Sequence, residues 1–313
     1  MNISEYHDNK EHEFSTCIDT GQGSDVGCVR KINEDSLLAA AEQRVWLLAD
    51  GMGGHRGGHV ASEIAVGHTL HGITTKLTPE EAINDAHRQI KRIAETDQGF
   101  LGMGSTIVSA KLEGTRLKLA WVGDSRAYYL EGGSAEKPLL QVTKDHSYVQ
   151  MLLDQGKITA QEMRTHPQKH VITQCLGSTE MESIQVGTKT IPFLHTDRVL
   201  LCSDGLYDAV DEAQISKLLS AADSAQEAAD KLIEAALDNA ASDNVSVLTL
   251  FHLGNQPELA EDSKSKNGVD TAARDRSEGH SKRRWSANAA RQVTNVLASI
   301  LPQSLHQYFF GNK

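Results

Sequence analysis

The chain has 313 residues, enough for one large domain with an appendage or for two domains, so length alone leaves the domain count open. Hydrophobic residues make up 39% and charged residues 23%, the balance of a globular chain with a sizeable core rather than of a disordered one. A formal net charge of −11, with no Lys/Arg-dense stripe in the first 250 residues, argues against a nucleic-acid binder, whose affinity rests on neutralising phosphates.

Cys17, Cys28, Cys175 and Cys202 form no C-x-x-C pair, which favours reduced thiols over a disulfide framework. Residues 1–14 are a polar, acidic arm without the features of a signal peptide, and no stretch approaches the roughly 18 apolar residues of a membrane span. The expected location is the cytoplasm.

Short β-branched runs predict strands at 15–20, 44–49, 105–112, 116–122, 126–130, 184–190, 197–202 and 245–251. Helical spacing appears over 58–74, over 79–96 behind the start Pro79-Glu80-Glu81, and again over 211–220 and 224–241. Strands in runs with helices in pairs predict an α/β sandwich of stacked sheets flanked by helices, not alternating βαβ units.

After His252 the character changes. Residues 253–284 are polar, with almost nothing apolar, and read as a disordered linker. Over 285–310, Trp285, Val293, Val296, Leu297, Ile300, Leu301 and Leu305 fall on one face of an amphipathic helix that begins beside Lys282-Arg283-Arg284. From Gly254 onward nine basic residues face six acidic ones, so a basic tail follows an acidic body. Such a tail suits docking on a partner protein or on an anionic membrane surface; the alternative is a helix folded back on the body.

The chemistry-bearing residues are acidic and stand at strand ends. Asp50 closes Val45-Trp46-Leu47-Leu48-Ala49, Asp204 closes Val199-Leu200-Leu201-Cys202-Ser203, and Asp124 follows Trp121-Val122-Gly123. Asp243 precedes the last strand, and Glu34-Asp35 precedes Ser36-Leu37-Leu38. Each alone reads equally well as an Asp-bearing turn. Five such sites converging at one edge would crowd negative charge that hard divalent cations relieve, since those ions take oxygen ligands.

In order along the chain, these segments resemble the serial signature of the type 2C (PPM) metal-dependent protein phosphatase family in its bacterial form. The resemblance runs over 15–252. It is carried by Ser24-Asp25-Val26-Gly27 with Arg30 and Asn33-Glu34-Asp35, and by Asp50-Gly51-Met52-Gly53-Gly54-His55 with Gly58 and Ala61-Ser62. Gly104-Ser105-Thr106, Gly123-Asp124-Ser125-Arg126, Thr143-Lys144-Asp145-His146-Ser147, Ser203-Asp204-Gly205 and Asp243-Asn244 then follow.

The resemblance implies a four-layer α-β-β-α sandwich with two central antiparallel sheets, and a serine/threonine protein phosphatase holding two Mn2+ or Mg2+ ions. Asp50 would bridge both metals, with the Gly51 carbonyl on one of them and Asp204 and Asp243 on the other. Asp35 would act directly or through water, and Asp124 with Asp204 would form a third, weaker site. Arg30 would clasp the substrate phosphate. His55 would protonate the leaving oxygen or pack at the helix start, and residues 145–182 would form a flap beside the site. The implied partners are phosphoproteins and a bacterial Ser/Thr kinase, with the enzyme a monomer. The competing reading is a phosphoprotein-binding module of the same fold without catalysis, which a missing bridging carboxylate would favour; Asp50, Asp204 and Asp243 are all present.

Overall fold

The computed structural model describes residues 15–53, 57–97 and 100–256. The predicted N-terminal arm, the linker beyond Gln256, the tail helix and His55 lie outside the described residues.

The chain forms the four layers expected. One sheet has the order β1 (Ser15–Asp25), β11 (Val245–Gln256), β10 (Arg198–Cys202), β7 (Arg126–Leu130) and β8 (Leu140–Gln141). The other has the order β2 (Asp35–Ala40), β3 (Val45–Met52), β5 (Ile107–Glu113), β6 (Arg116–Val122) and β9 (Gly187–Pro192), with the short β4 (Gly104–Ser105) paired to the end of β3. All these pairings are antiparallel.

The central strands read as unbroken apolar runs because both of their faces are covered. In β3, Val45, Leu47 and Ala49 point to the helix pair α1 (Gly57–Thr74) and α2 (Pro79–Thr96), while Trp46 and Leu48 point between the sheets. The same period of two divides β10: Leu200 and Cys202 pack under α5 (Asp204–Ala209), α6 (Glu212–Ala221) and α7 (Ala225–Asp238), whereas Val199 and Leu201 enter the inter-sheet core.

Local signals place the helix ends. Thr78 and Glu81 form a reciprocal capping box ahead of Pro79, and Asp211 and Ser224 cap α6 and α7 by accepting from the Gln214 and Glu227 amides. Gly21 lets β1 run against the start of α7, since a Cβ there would collide with the Ala225 carbonyl.

Three elements were not anticipated. β2 is short and mostly half-buried, so it gives too little apolar pattern to be assigned as a strand; β8 is an exposed two-residue pairing; and α5 begins at Asp204, which read only as a strand end. The segment 145–182 carries α3 (Tyr148–Asp154) and α4 (Ala160–Thr165); the bridge Ser147–Ile172 closes it on itself, and the bridge Ser105–Leu176 stitches it to the body.

Leu201 is fully buried between the sheets. Replacing it with alanine should lower unfolding stability by about 2–5 kcal/mol, seen as a lower urea midpoint at unchanged slope. A loss below about 0.5 kcal/mol would show that the inter-sheet layer is not the core.

Candidate metal centre

The two sheets meet at one edge, and there the strand-end carboxylates converge. Asp35 stands directly opposite Asp50 in the β2–β3 ladder, a like-charge cross-strand pair that is unfavourable by itself. Asp50 cannot easily retreat. Its amide donates to Thr106 Oγ1 at 2.9 Å, and its carbonyl accepts from the Thr106 amide at 2.8 Å and from Ser105 Oγ at 3.0 Å. Thr106 Oγ1 in turn lies 2.7 Å from Ser125 Oγ, beside Asp124.

From the opposite sheet come Asp204, at the start of α5, and Asp243, ahead of β11. Ser203 Oγ donates to Asp35 Oδ2 at 2.8 Å and accepts from the Ser246 amide at 3.0 Å, so one hydroxyl joins both sheets. Asn244 is a second staple. Its Oδ1 accepts from the Glu34 amide at 2.8 Å, and its Nδ2 donates to the carbonyls of Val26 (2.9 Å) and Ile32 (3.0 Å). The loop bearing Arg30 is thereby fixed against the 243–244 turn. Gly27 makes that approach feasible, with φ of 76° and no room for a Cβ beside the Asp243 carbonyl.

Gly51 and Gly58 serve the same end. A side chain on Gly51 would overlap the Gly58 carbonyl, and one on Gly58 would overlap the Glu34 carboxylate. The Gly51 amide donates to the Glu34 carbonyl at 3.2 Å.

The electrostatics follow from this crowding. Burial pushes the Asp35 carboxyl up to about 7, with Asp204 and Asp243 adding to it while hydrogen bonds from Ser246 and Ser203 oppose it. Burial likewise lifts Asp124 to about 8, helped by Asp204 and Asp145, and raises Asp50 well above the ordinary range, helped by Asp35, Asp204, Asp124 and Asp243. Asp204 is raised by burial too, against a hydrogen bond from His170. Arg30 donates from Nη2 to Asp243 Oδ2 at 2.6 Å; that bond, with Asp204 and Glu34 nearby, holds its guanidinium pKa up, while 53% of the side chain stays exposed.

Three oxygens of this recess, Asp35 Oδ1, Asp204 Oδ1 and Glu34 Oε1, are buried without a hydrogen-bond partner. Buried, unpaired carboxylate oxygens are costly. Together with the lifted carboxyls they form an all-oxygen donor set, which fits Mn2+ or Mg2+ and would not suit a soft cation.

The structure thus brings Asp35, Asp50, Gly51, Asp124, Asp204, Asp243 and Arg30 to one place. It also adds residues that sequence reasoning missed. Ser203, Thr106 and Asn244 lay inside recognised motifs without a role, and their positioning bonds become visible only across the two sheets. His170 and Lys169 carried no signal at all in the 145–182 segment. His170 Nδ1 stands 3.6 Å from Asp204 Oδ2 and 3.4 Å from Asp208 Oδ2, and Lys169 Nζ lies 3.0 Å from Asp208 Oδ2.

Residues 29–240 match the family model described as protein phosphatase 2C. Among curated proteins, the chain is 37% identical over 238 residues to the serine/threonine phosphatase stp of Listeria welshimeri, an alignment covering 72% of this chain and 92% of that protein. It is 39% identical over 234 residues to the serine/threonine protein phosphatase PstP of Mycobacterium tuberculosis, covering 72% of this chain but only 43% of PstP. Among solved structures, that of the M. tuberculosis phosphatase PstP/Ppp superposes with a TM-score of 0.68 at 36% identity, covering 75% of this chain and 98% of that one. The PstP catalytic domain in complex with two manganese ions gives 0.65 at 34% identity, covering 75% and 97%. A family model spanning more than half of the chain, on the fold and carboxylate edge described above, means that the chain belongs to the protein phosphatase 2C family.

Proposed function

We propose that this chain, a metal-dependent serine/threonine phosphatase by family, hydrolyses phosphoserine and phosphothreonine in proteins and opposes a bacterial Ser/Thr kinase. The observation that carries the reading is the recess of lifted carboxyls with orphaned oxygens beside a half-exposed arginine. The manganese ions bound by the PstP catalytic domain support it by similarity.

In this reading Asp50, the Gly51 carbonyl, Asp204 and Asp243 would hold the two cations, with Asp35 contributing directly or through water. Asp124 with Asp204 would take a third. Two such cations, when bound, supply a water acidic enough to attack near neutral pH and balance the charge of the phosphoryl oxygens. The protein side chains do the rest. Arg30 offers its planar guanidinium to the phosphate, exchanging the exposed bond to Asp243 for two parallel bonds to phosphoryl oxygens. His55 is the proposed proton donor to the leaving serine or threonine oxygen. Cys202, two residues before Asp204, fits poorly as a nucleophile, since it is fully buried and its thiol is pushed up to about 12 by that burial.

Phosphate release from a phosphothreonine peptide tests the proposal. Turnover should require Mn2+ or Mg2+, stop with chelator, and fall in Asp204→Asn by more than the roughly 10–100-fold typical of lost outer-shell partners. Absence of turnover under every condition, with the fold intact, would favour the binding-module reading.

A second test is thermodynamic. Without a cation, the fold holds the Asp35 and Asp124 protons up to about 7 and about 8. The unfolded chain releases them near roughly 3.9. Because the folded-state values are raised, the associated stability is fully present at acid pH and is lost as pH rises through about 4 to 8. Cations replace those protons. A fixed Mn2+ concentration, about 100 times the dissociation constant at pH 8, adds about 2.7 kcal/mol there and less at pH 5, where protons compete for the same oxygens. Its rise in melting temperature should therefore be larger at pH 8 than at pH 5; an equal or smaller rise at pH 8 would contradict cation binding by these carboxylates.

A further inference from the structure

A groove of about 430 Å³ opens on the flank of the molecule between β1 and α7. Ile233 and Leu237, half-buried, form its floor; Gly23 and Ser24 of β1 form one wall. Its outer rim is acidic. Asp230, Glu234 and Asp238 recur every four residues and so stand on one stripe of α7.

That stripe is unbalanced. Lys231 is paired with Glu227 at 2.6 Å and feels Glu234 only through a weaker charge interaction, Asp230 accepts a hydrogen bond from Gln226, and neither Glu234 nor Asp238 forms an ion pair within 4 Å among the described residues. Both stand in the second half of α7, and the last turn of that helix holds no basic residue. Carboxylates at a helix C-terminus oppose the macrodipole, so the helix itself gives no reason for their presence. An acidic rim around an apolar floor is complementary to a basic, amphipathic segment.

This chain carries one. Residues 282–305 hold Lys282, Arg283, Arg284 and Arg291, no carboxylate, and the apolar series from Trp285 to Leu305. The reach is also matched. Gln256 pairs with Ser15, whereas Ser24 pairs with Ser246, which puts the groove about 30 Å along the β1–β11 ribbon from where the tail departs. A random chain the length of residues 257–281 has an r.m.s. span of about 25–30 Å. Effective concentration peaks when the span of a connection equals the separation it must cross.

We infer that the β1–α7 groove is the seat of this chain's own basic segment, residues 282–305. The cations meet Asp230, Glu234 and Asp238, and the apolar face lies on Ile233 and Leu237. The seat adjoins the loop that bears Arg30, because Cys28 bonds through its amide to Ala241 and through Sγ to the Leu237 carbonyl at 3.7 Å.

Exposed Cys28 supplies the probe. A benzophenone photo-crosslinker is attached there in the full chain carrying Cys17→Ser and Cys175→Ser, Cys202 being buried. Crosslinks are mapped by mass spectrometry at low ionic strength in a mixture of light and heavy isotope-labelled protein. The expected result is crosslinks to residues 282–305 within one molecule. Their yield should fall at least fivefold in Glu234→Lys/Asp238→Lys, fall equally in Lys282→Glu/Arg283→Glu/Arg284→Glu, and return when both sets are combined; that rescue excludes misfolding as the cause. Crosslinks that join light to heavy chains overturn the proposal in favour of a second copy. Crosslinks indifferent to the reversals, or none to the tail, overturn it and leave the segment to a partner protein or an anionic membrane.

Discussion

Negative charge held together against its own repulsion is the constraint on which the rest of this molecule depends. Asp35 and Asp50 face each other across one ladder, and Asp204, Asp124 and Asp243 join them from three further segments. Left to themselves these segments would splay, since each carboxylate gains hydration by moving apart. They are prevented from doing so chiefly by the backbone and by neutral hydrogen bonds, while the basic groups Arg30 and His170 reach Asp243 and Asp204 only from the exposed rim. Thr106 and Ser105 grip the Asp50 main chain, and Ser203 and Asn244 sew one sheet to the other. A neutral clamp leaves the recess negative, which is the condition under which a divalent ion binds there strongly.

The sandwich supplies the rigidity this needs. Fully buried residues such as Leu201, Leu48 and Phe193 fill the space between the sheets, and α1 with α2 on one side and α5, α6 and α7 on the other close the outer faces. Interiors packed that densely do not deform continuously, so the register of β2 on β3 and of β10 on β11 is carried undamped to the edge. The glycines at the edge matter for a related reason. Gly51 against Gly58 and Gly27 against Asp243 are contacts of backbone with backbone, and a single methyl group at any of them would separate the loops that must converge.

Why some of this could be read from the sequence and some could not follows from the range of each interaction. Doubly buried strands such as β3 and β10 announce themselves as apolar runs, and an aspartate that ends such a run is conspicuous; Asp50, Asp124 and Asp204 were found that way, and Asp243 from its place just ahead of the last strand. Asp35 was found from its place ahead of Ser36-Leu37-Leu38, although that run was not assigned among the strands, because β2 is short and only partly buried. Ser203 and Asn244 were visible as letters within motifs, but their work is done over separations of 168 and 210 residues, to Asp35 and to Glu34, which no local pattern encodes. His170 is harder still: it sits in a polar segment with no periodicity, and only the folded chain brings it to Asp204.

The cations around the recess differ in kind from the carboxylates within it. Arg30 is 53% exposed and His170 is 58% exposed, and both reach acidic groups from the solvent side. Exposed ion pairs of this sort contribute little to stability, roughly 0–1 kcal/mol, because water competes for both partners. Weakness is what suits them to a working site. In the proposed reaction a phosphate arriving at the edge would take Arg30 from Asp243 at small cost, leaving Asp243 to a cation in the recess. The buried frame stores the unfavourable charge, and the exposed rim supplies groups that can change partners without disturbing it.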